Sequence, residues 1–151
     1  MLRPSMTPEQ NEAVVRQNFE LFWNDGDGDL IDQLYDPEHI LHDPSYHLEL
    51  LGWDGVRKCM EIYRAAFPNT RFSVDELVAQ EDRVAVRWTV RGTHLGDLFA
   101  VSATGRQVVV SGMSFFRLRN GRLAETWISW DTLGLLHQIG LLPEPRTALL
   151  S

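Results

Sequence analysis

The stretch Leu123-Ala124-Glu125-Thr126-Trp127-Ile128-Ser129-Trp130-Asp131 decides the fold, because it has the composition of a long β-strand near the end of the chain. Side chains of a strand alternate between two faces, so Trp127, Ser129 and Asp131 are expected on one face. Neither face is clearly solvent-like, which predicts that both are covered. The stretch therefore predicts a strand that ends by placing a carboxylate beside tryptophans.

Asp131 has two interpretations at this level. A carboxylate in a partly apolar site is suited to acid/base chemistry. Aspartate is also a favoured N-cap, and the apolar segment Leu133 to Ile139 that follows is predicted to be a short helix ending at Gly140. The strand alone does not decide between the catalytic role and the helix cap.

Length and charge limit the class of protein. A chain of 151 residues is predicted to form one domain with a sizeable core. The formal net charge of −7 and the lack of a basic run argue against nucleic acid as a partner. No apolar run reaches the length of a membrane span or a signal peptide, and the single cysteine, Cys59, excludes an internal disulfide. We expect a cytoplasmic protein that does not act on membranes.

Two long helices and a short one are predicted in the first half of the chain. Thr7-Pro8-Glu9-Gln10 has the pattern of a capping box, and an apolar stripe follows it at helical spacing to about Trp23. A second stripe runs from Val56 to Phe67 and ends at Pro68. Between them, Asp29 is predicted to cap a short helix from Leu30 to Tyr35.

A histidine-rich segment, Asp36 to His47, lies between these helices. Its prolines argue against a regular helix, so it is predicted to be a loop or short strand that directs His42 or Asp43 into a cavity. A solvated polar loop is an equal alternative. A metal site at His39, His42 and His47 is a weaker one, since no partner motif for a metal occurs elsewhere. We expect no metal in this segment.

In the second half of the chain, apolar residues recur at every second position. Strands are predicted over Phe72–Ala79, Arg83–Thr93 and Gln107–Arg119, joined by turns and by a loop that begins near His94. Alternation places Trp88 in the core or on the floor of a pocket. Asn120-Gly121 signals a hairpin whose register stays open.

The hairpin register has two alternatives. A two-residue loop would place Gly112, Ser114 and Phe116 on the face of Asp131. A three-residue loop with a bulge would instead place Ser111, Met113 and Phe115 there.

The order of elements predicts an α+β domain, in which a cone-shaped, curved mixed β-sheet wraps around N-terminal helices and leaves an apolar pocket. Catalytic candidates are Asp131, His42 and His94. The residues expected to bind substrate are Trp53, Tyr63, Phe67, Trp88, Ser111, Met113, Trp127 and Ser129.

Several motifs occur in a characteristic order: Gly52-Trp-Asp-Gly55, Glu81-Asp-Arg-Val-Ala-Val-Arg-Trp88, Gly92-Thr-His94, Asn120-Gly-Arg122, Glu125-Thr-Trp127 and Asp131. In this order the chain resembles the SnoaL-like polyketide cyclase family of the nuclear transport factor 2-like superfamily. The resemblance covers about Thr7 to Leu142, which makes residues 1–151 a single such domain with a core at 7–142 and a tail at 143–151. It is specific for the fold but weak for the substrate.

The resemblance implies an intramolecular aldol condensation of a polyketide ester without a cofactor, with the aspartate resembling Asp131 as acid/base. The polar pair of the cyclases on the neighbouring strand is replaced by Met113 and Phe115. We therefore expect a cyclase-, isomerase- or lyase-like acid/base enzyme acting on a hydrophobic carbonyl compound, in which His42 or His94 donates to the enolate oxygen. The alternative is a non-catalytic protein that binds a small hydrophobic ligand.

A homodimer through the convex face of the sheet is expected. That face is predicted to mix apolar and basic groups, and members of the family that it resembles commonly dimerise there. The residues assigned to it from alternation are Arg87, Thr89, Arg91, Ile128 and Trp130.

Overall fold

A computed structural model of the protein describes residues 6–45 and 49–143. The elements within these residues are the helices α1 (Pro8–Gln17), α2 (Ile31–Leu34), α3 (Gly52–Ala66) and α4 (Thr132–Gln138), and the strands β1 (Tyr35–His42), β2 (Leu50–Leu51), β3 (Arg71–Gln80), β4 (Arg83–Thr93), β5 (Gln107–Arg119) and β6 (Arg122–Trp130). None of the helices in this part of the chain is long and apolar enough to cross a membrane.

The predicted capping box begins the first helix. The backbone N–H of Gln10 donates to Thr7 Oγ1 at 3.1 Å, and the Thr7 N–H donates to Gln10 Oε1 at 2.8 Å. After Gln17 the helix continues as a π-helical segment, Asn18–Asn24, a wider turn that often marks functional sites. The prediction of a cap at Asp29 is wrong, because that residue lies inside a 3-10 turn, Gly28–Leu30, that leads into α2.

The six strands form one mixed sheet in the order β2-β1-β6-β5-β4-β3. Strands β3 to β6 pair antiparallel as a meander, whereas β1 pairs with β6 in parallel. The curved sheet is not closed, and its concave face packs on α1, the π-helical segment and α3. This confirms the predicted α+β cone.

The turn between β5 and β6 settles the register. Asn120 and Gly121 both have positive φ, 53° and 77°, as a two-residue type I′ turn requires. Arg119 then pairs with Arg122. The turn is thus the two-residue loop of the first alternative.

A β-bulge in β6 then changes which side chains of β5 and β6 share a face. Leu118 pairs with Leu123, but Arg117 pairs with Glu125, so Ala124 is an extra residue in β6. One inserted residue exchanges the faces of the residues that follow it. Met113 pairs with Ser129 and Phe115 pairs with Trp127. These side chains therefore share one face of the sheet, as in the second alternative.

Candidate functional site

A cavity of about 120 Å³ lies between the concave face of the sheet and the helices. Its wall is mostly apolar, and it includes Phe19 and Trp23 of the π-helical segment, Val56 of α3, and Trp88 and Phe116 of the sheet. A cavity of roughly 150 Å³ accommodates benzene. The volume is therefore of the order that a small ring compound occupies.

Asp43 follows directly after β1 and brings a carboxylate to this wall. Its side chain is 5% exposed. Oδ1 accepts hydrogen bonds from the indole Nε1 of Trp130 at 3.2 Å and from the Ser45 N–H at 2.9 Å. Oδ2 accepts from the Tyr63 hydroxyl at 3.2 Å. Three donors thus stabilise a charge next to an apolar cavity.

His39 lies on the same wall, four residues before Asp43. It is fully buried, its Nε2 is 2.8 Å from Thr126 Oγ1, and its ring meets that of Tyr35 edge-on at 4.9 Å. Burial lowers the pKa of His39 to about 4, so the imidazole is neutral at neutral pH. Its Nδ1 has no hydrogen-bond partner among the described residues.

Two further polar pairs line the cavity, and each is satisfied internally. The Tyr35 hydroxyl donates to Asn18 Oδ1 at 2.5 Å, and burial raises the pKa of Tyr35. The indole of Trp88 donates to Ser114 Oγ at 2.9 Å. These pairs stabilise the wall, on which Asp43 is the carboxylate and His39 a neutral imidazole.

Three of the residues predicted to bind substrate line the cavity, namely Tyr63, Phe67 and Trp88. Tyr63 and Phe67 project from α3 and its C-terminal end, and Trp88 projects from β4 as its alternation predicted. Their contact with a ligand stays a prediction.

Asp131 lies outside the cavity, contrary to expectation. It is exposed, and its Oδ1 accepts a hydrogen bond from the Gly134 N–H at 2.8 Å as the N-cap of α4. The helix-cap interpretation describes its position.

Four further residues predicted to bind substrate do not line the cavity, because the prediction placed them on the face of Asp131 and took that face to line the pocket. The bulge at Ala124 turns the other set inward: Thr126, Ile128 and Trp130 line the cavity. The displaced residues lie on the convex face, and they are Ser111, Met113, Trp127 and Ser129.

His42 points away from the cavity, because it alternates with Leu41 and Asp43. Its Nε2 is 2.7 Å from Glu125 Oε2, and its ring stacks on Trp127 at 5.2 Å. This hydrogen bond lowers the pKa of Glu125. His42 is therefore part of a polar cluster on the convex side.

His94 and Trp53 serve other parts of the structure. His94 is fully buried next to Phe67, and its Nδ1 accepts a hydrogen bond from the Thr104 N–H at 3.3 Å, which ties the loop between β4 and β5. The indole of Trp53 donates to the Tyr35 carbonyl at 2.9 Å. Neither residue lines the cavity.

The histidine-rich segment gives no metal centre in the described residues, where no group of three or more His, Cys, Asp or Glu side chains could hold an ion. His39 and His42 project to opposite faces of the sheet. His47, the third histidine of that alternative, lies outside the described residues.

The sequence contained a signal for the site that the prediction did not use. His39, Leu41 and Asp43 alternate along one strand, and a period of two places them on one face. The prolines at 37 and 44 obscured that strand, although Pro37 lies where the register with β6 is interrupted.

Known proteins place the chain in a family. The sequence profile of the SnoaL-like polyketide cyclases matches residues 13–139, so the chain belongs to this family. No curated protein matches it.

Solved structures agree with this family. AclR from Streptomyces galilaeus, provisionally assigned as a hydroxylase, is 28% identical with a TM-score of 0.83, over 95% of this chain and 89% of that one. A provisionally assigned polyketide cyclase from Acidithiobacillus ferrooxidans is 28% identical, with a TM-score of 0.77 over 86% and 94% of the two chains. IdmH from Streptomyces antibioticus, provisionally a polyketide cyclase, is 27% identical, with a TM-score of 0.75 over 87% and 99%.

Proposed function

We propose that the protein is a cofactor-independent acid/base enzyme that acts on a hydrophobic carbonyl or polyketide-like small molecule, with Asp43 as the acid/base group. One observation carries this proposal: among the described residues that line the cavity, Asp43 is the one carboxylate. It replaces Asp131 in the role that the sequence suggested, because Asp131 faces solvent.

The proposed reaction begins with removal of a proton from the carbon next to a carbonyl. The C–H bond breaks, Asp43 takes the proton, and the electron pair moves to the carbonyl oxygen to give an enolate. Attack of the enolate carbon on a second carbonyl of the same molecule forms the ring bond, and the proton returns to the new alkoxide oxygen. Every atom and electron is accounted for without a metal or an organic cofactor.

The surroundings of Asp43 support the first step. The hydrogen bonds from Tyr63 and Trp130 orient the carboxylate, and the apolar wall excludes water from the carbon acid. A carboxylate has about four acceptor positions, of which three are in use, so one lone pair is available for the proton.

The second candidate function is binding of a small hydrophobic ligand without catalysis. The same three hydrogen bonds favour it, because they hold the Asp43 carboxylate in one orientation in which it can accept a hydrogen bond from a ligand. In that case Asp43 fixes the orientation of a ligand hydroxyl.

Proton exchange at a model ketone distinguishes the two functions. In D₂O we expect the wild type to accelerate exchange of the α-protons of 2-tetralone, followed by NMR. Asp43→Asn should lose roughly 10²- to 10⁴-fold of that rate, and Asp131→Asn, the matched control, should retain it. Binding of 2-tetralone without exchange would support the binding protein, and loss in Asp131→Asn alone would contradict the role of Asp43.

We also propose a homodimer through the convex face, with a corrected set of residues. Ile128 and Trp130 line the cavity and are not available for it. Exposed apolar side chains on that face instead include Val109, Met113, Phe115 and Trp127. Such an apolar row on a sheet suits a second copy of the same surface. Cytoplasmic location likewise stays a prediction.

A further inference from the structure

The loop between β4 and β5 contains a tight turn with an unusual backbone. Leu98 and Val101 pair with each other, because the Leu98 N–H donates to the Val101 carbonyl at 2.9 Å and the Val101 N–H donates to the Leu98 carbonyl at 2.7 Å. The two residues between them, Phe99 and Ala100, both have positive φ, 49° and 64°. This is the conformation of a type I′ turn, in which Asn and Gly are the usual residues.

Phe and Ala are strained in this conformation, because the Cβ of an L-residue comes too close to a carbonyl oxygen. Such strain persists only where the surrounding structure holds it, and strained residues are concentrated at functional sites. Here Leu98 is 1% exposed in an apolar cluster with Phe67. The N–H groups of Leu95 and Gly96 both donate to the Ala66 carbonyl, at 2.9 and 3.1 Å. The loop is therefore fixed to the C-terminal end of α3.

The turn places the ring of Phe99 against Tyr63 of α3. The two rings meet edge-on, with centroids 6.5 Å apart and an angle of 87° between their planes. The ring of Trp130 meets Tyr63 in the same way, at 5.9 Å and 87°. Edge-to-face contact is a preferred geometry of aromatic pairs. Since Tyr63 donates to Asp43, the orientation of the Tyr63 ring determines whether its hydroxyl reaches the carboxylate.

We propose that Phe99 is a positioning residue of the candidate site, whose ring holds the Tyr63 ring in the orientation in which the hydroxyl donates to Asp43 Oδ2. Burial does not account for the strained turn, because the Phe99 side chain remains 42% exposed. The proposal rests on the proposed role of Asp43 as acid/base, and it gives a part in that role to a residue that does not line the cavity. Phe99 acts through Tyr63 and not by contact with the substrate.

Exchange of the α-protons of 2-tetralone in D₂O tests this role. Phe99→Ala should lose roughly 10-fold of the maximal rate through poorer orientation of the base. Its affinity for 2-naphthol, measured by calorimetry, should stay that of the wild type. Phe99→Tyr keeps the ring and should retain the rate. Leu95→Ala is the control in the same loop, since Leu95 is 56% exposed, and it should retain the rate as well.

A double variant separates positioning from a general effect on the fold. Without the Tyr63 hydroxyl there is no donor to orient, so adding Phe99→Ala to Tyr63→Phe should reduce exchange no further. In urea denaturation, Tyr63→Phe should likewise cost clearly less free energy of unfolding in a Phe99→Ala background than in the wild type.

Three results would overturn the positioning role while leaving Asp43 as the base: a full rate in Phe99→Ala, a rate loss matched by an equal loss of affinity for 2-naphthol, or a further loss of similar size in the double variant. A wild type without exchange would overturn the catalytic proposal instead. The urea measurements would then decide whether Phe99 positions Tyr63, and equal costs of Tyr63→Phe in both backgrounds would overturn it.

Discussion

The indole Nε1 of Trp130 lies 3.2 Å from Oδ1 of Asp43, and this hydrogen bond joins the end of the last strand to the end of the first. It forms because β1 and β6 are parallel neighbours whose inward side chains meet at one end of the cavity. Trp130 faces inward because Ala124 is bulged. The candidate site therefore depends on one inserted residue far from it in the strand.

Removing the second donor to Asp43 should destabilise the protein. Tyr63→Phe keeps the ring in the cavity wall but removes the hydroxyl that donates at 3.2 Å. We expect a loss of about 1.5–3 kcal/mol in the free energy of unfolding, as for hydrogen bonds to charged groups. Urea denaturation measures it. In an Asp43→Asn background the same substitution should cost clearly less, and equal losses in both backgrounds would show that the two side chains are not coupled.

Asp131 should behave as a helix cap. Asp131→Ala removes the acceptor for the Gly134 N–H, and we expect a loss of about 1 kcal/mol in the free energy of unfolding. Asp131→Asn should be close to neutral, because asparagine caps equally well. Thermal unfolding of the three proteins checks this. Affinity for 2-naphthol should be the same in all of them. A weaker affinity in the Asn variant would show that Asp131 contributes to ligand binding.

His39 should make the protein sensitive to mild acid. Its native pKa of about 4 is below the ordinary value of 6.5, so between these values the unfolded chain takes up a proton that the native state does not. Stability should therefore fall as the pH is lowered from about 6.5 to 4, by up to about 3 kcal/mol from this group. Urea titrations at several pH values measure the slope. His39→Gln should have a flatter profile in this window, and a slope equal to that of the wild type would contradict the buried neutral imidazole.

A charge on the convex face should separate the proposed dimer. Met113 is 59% exposed on that face, and Met113→Glu would place like charges against each other across a self-complementary interface. We expect the mass in solution, measured by light scattering, to change from that of a dimer to that of a monomer. Leu133→Glu, which is 60% exposed at the start of α4, is the matched control and should leave the dimer intact. A monomeric wild type would contradict the interface.

Gly112 should tolerate no side chain, because a Cβ there would lie 2.5 Å from the ring of Trp88 and 2.9 Å from the Cβ of Trp130. Gly112→Ala should push these indoles into the cavity and cost about 1–3 kcal/mol of stability through overpacking. It should also weaken binding of 2-naphthol. At Gly28 an added Cβ meets only Met60 at 3.6 Å, an ordinary contact, so Gly28→Ala is the control. Equal stability of the two variants would show that the wall yields to the extra methyl group.

The sequence by itself determined the fold, because its strongest signals are local. The capping box at Thr7, the alternation through Trp88 and the hairpin turn at Asn120-Gly121 each describe neighbouring residues, and together they define an α+β cone. The resemblance to the SnoaL-like family, which rests on the order of such motifs, was confirmed by the family profile.

Tertiary structure decided which side chains face the cavity. Alternation counted from Leu123 gave the wrong face for Asp131, because the bulged Ala124 exchanges the faces of all the residues that follow it in β6. Whether the bulge forms depends on the pairing of β6 with β5 and not on the sequence of β6 alone. The partnership of Asp43 with Trp130 has the same origin, since residues 87 positions apart meet only when β1 pairs with β6. Local patterns specify elements, whereas the site is set by the pairing between them.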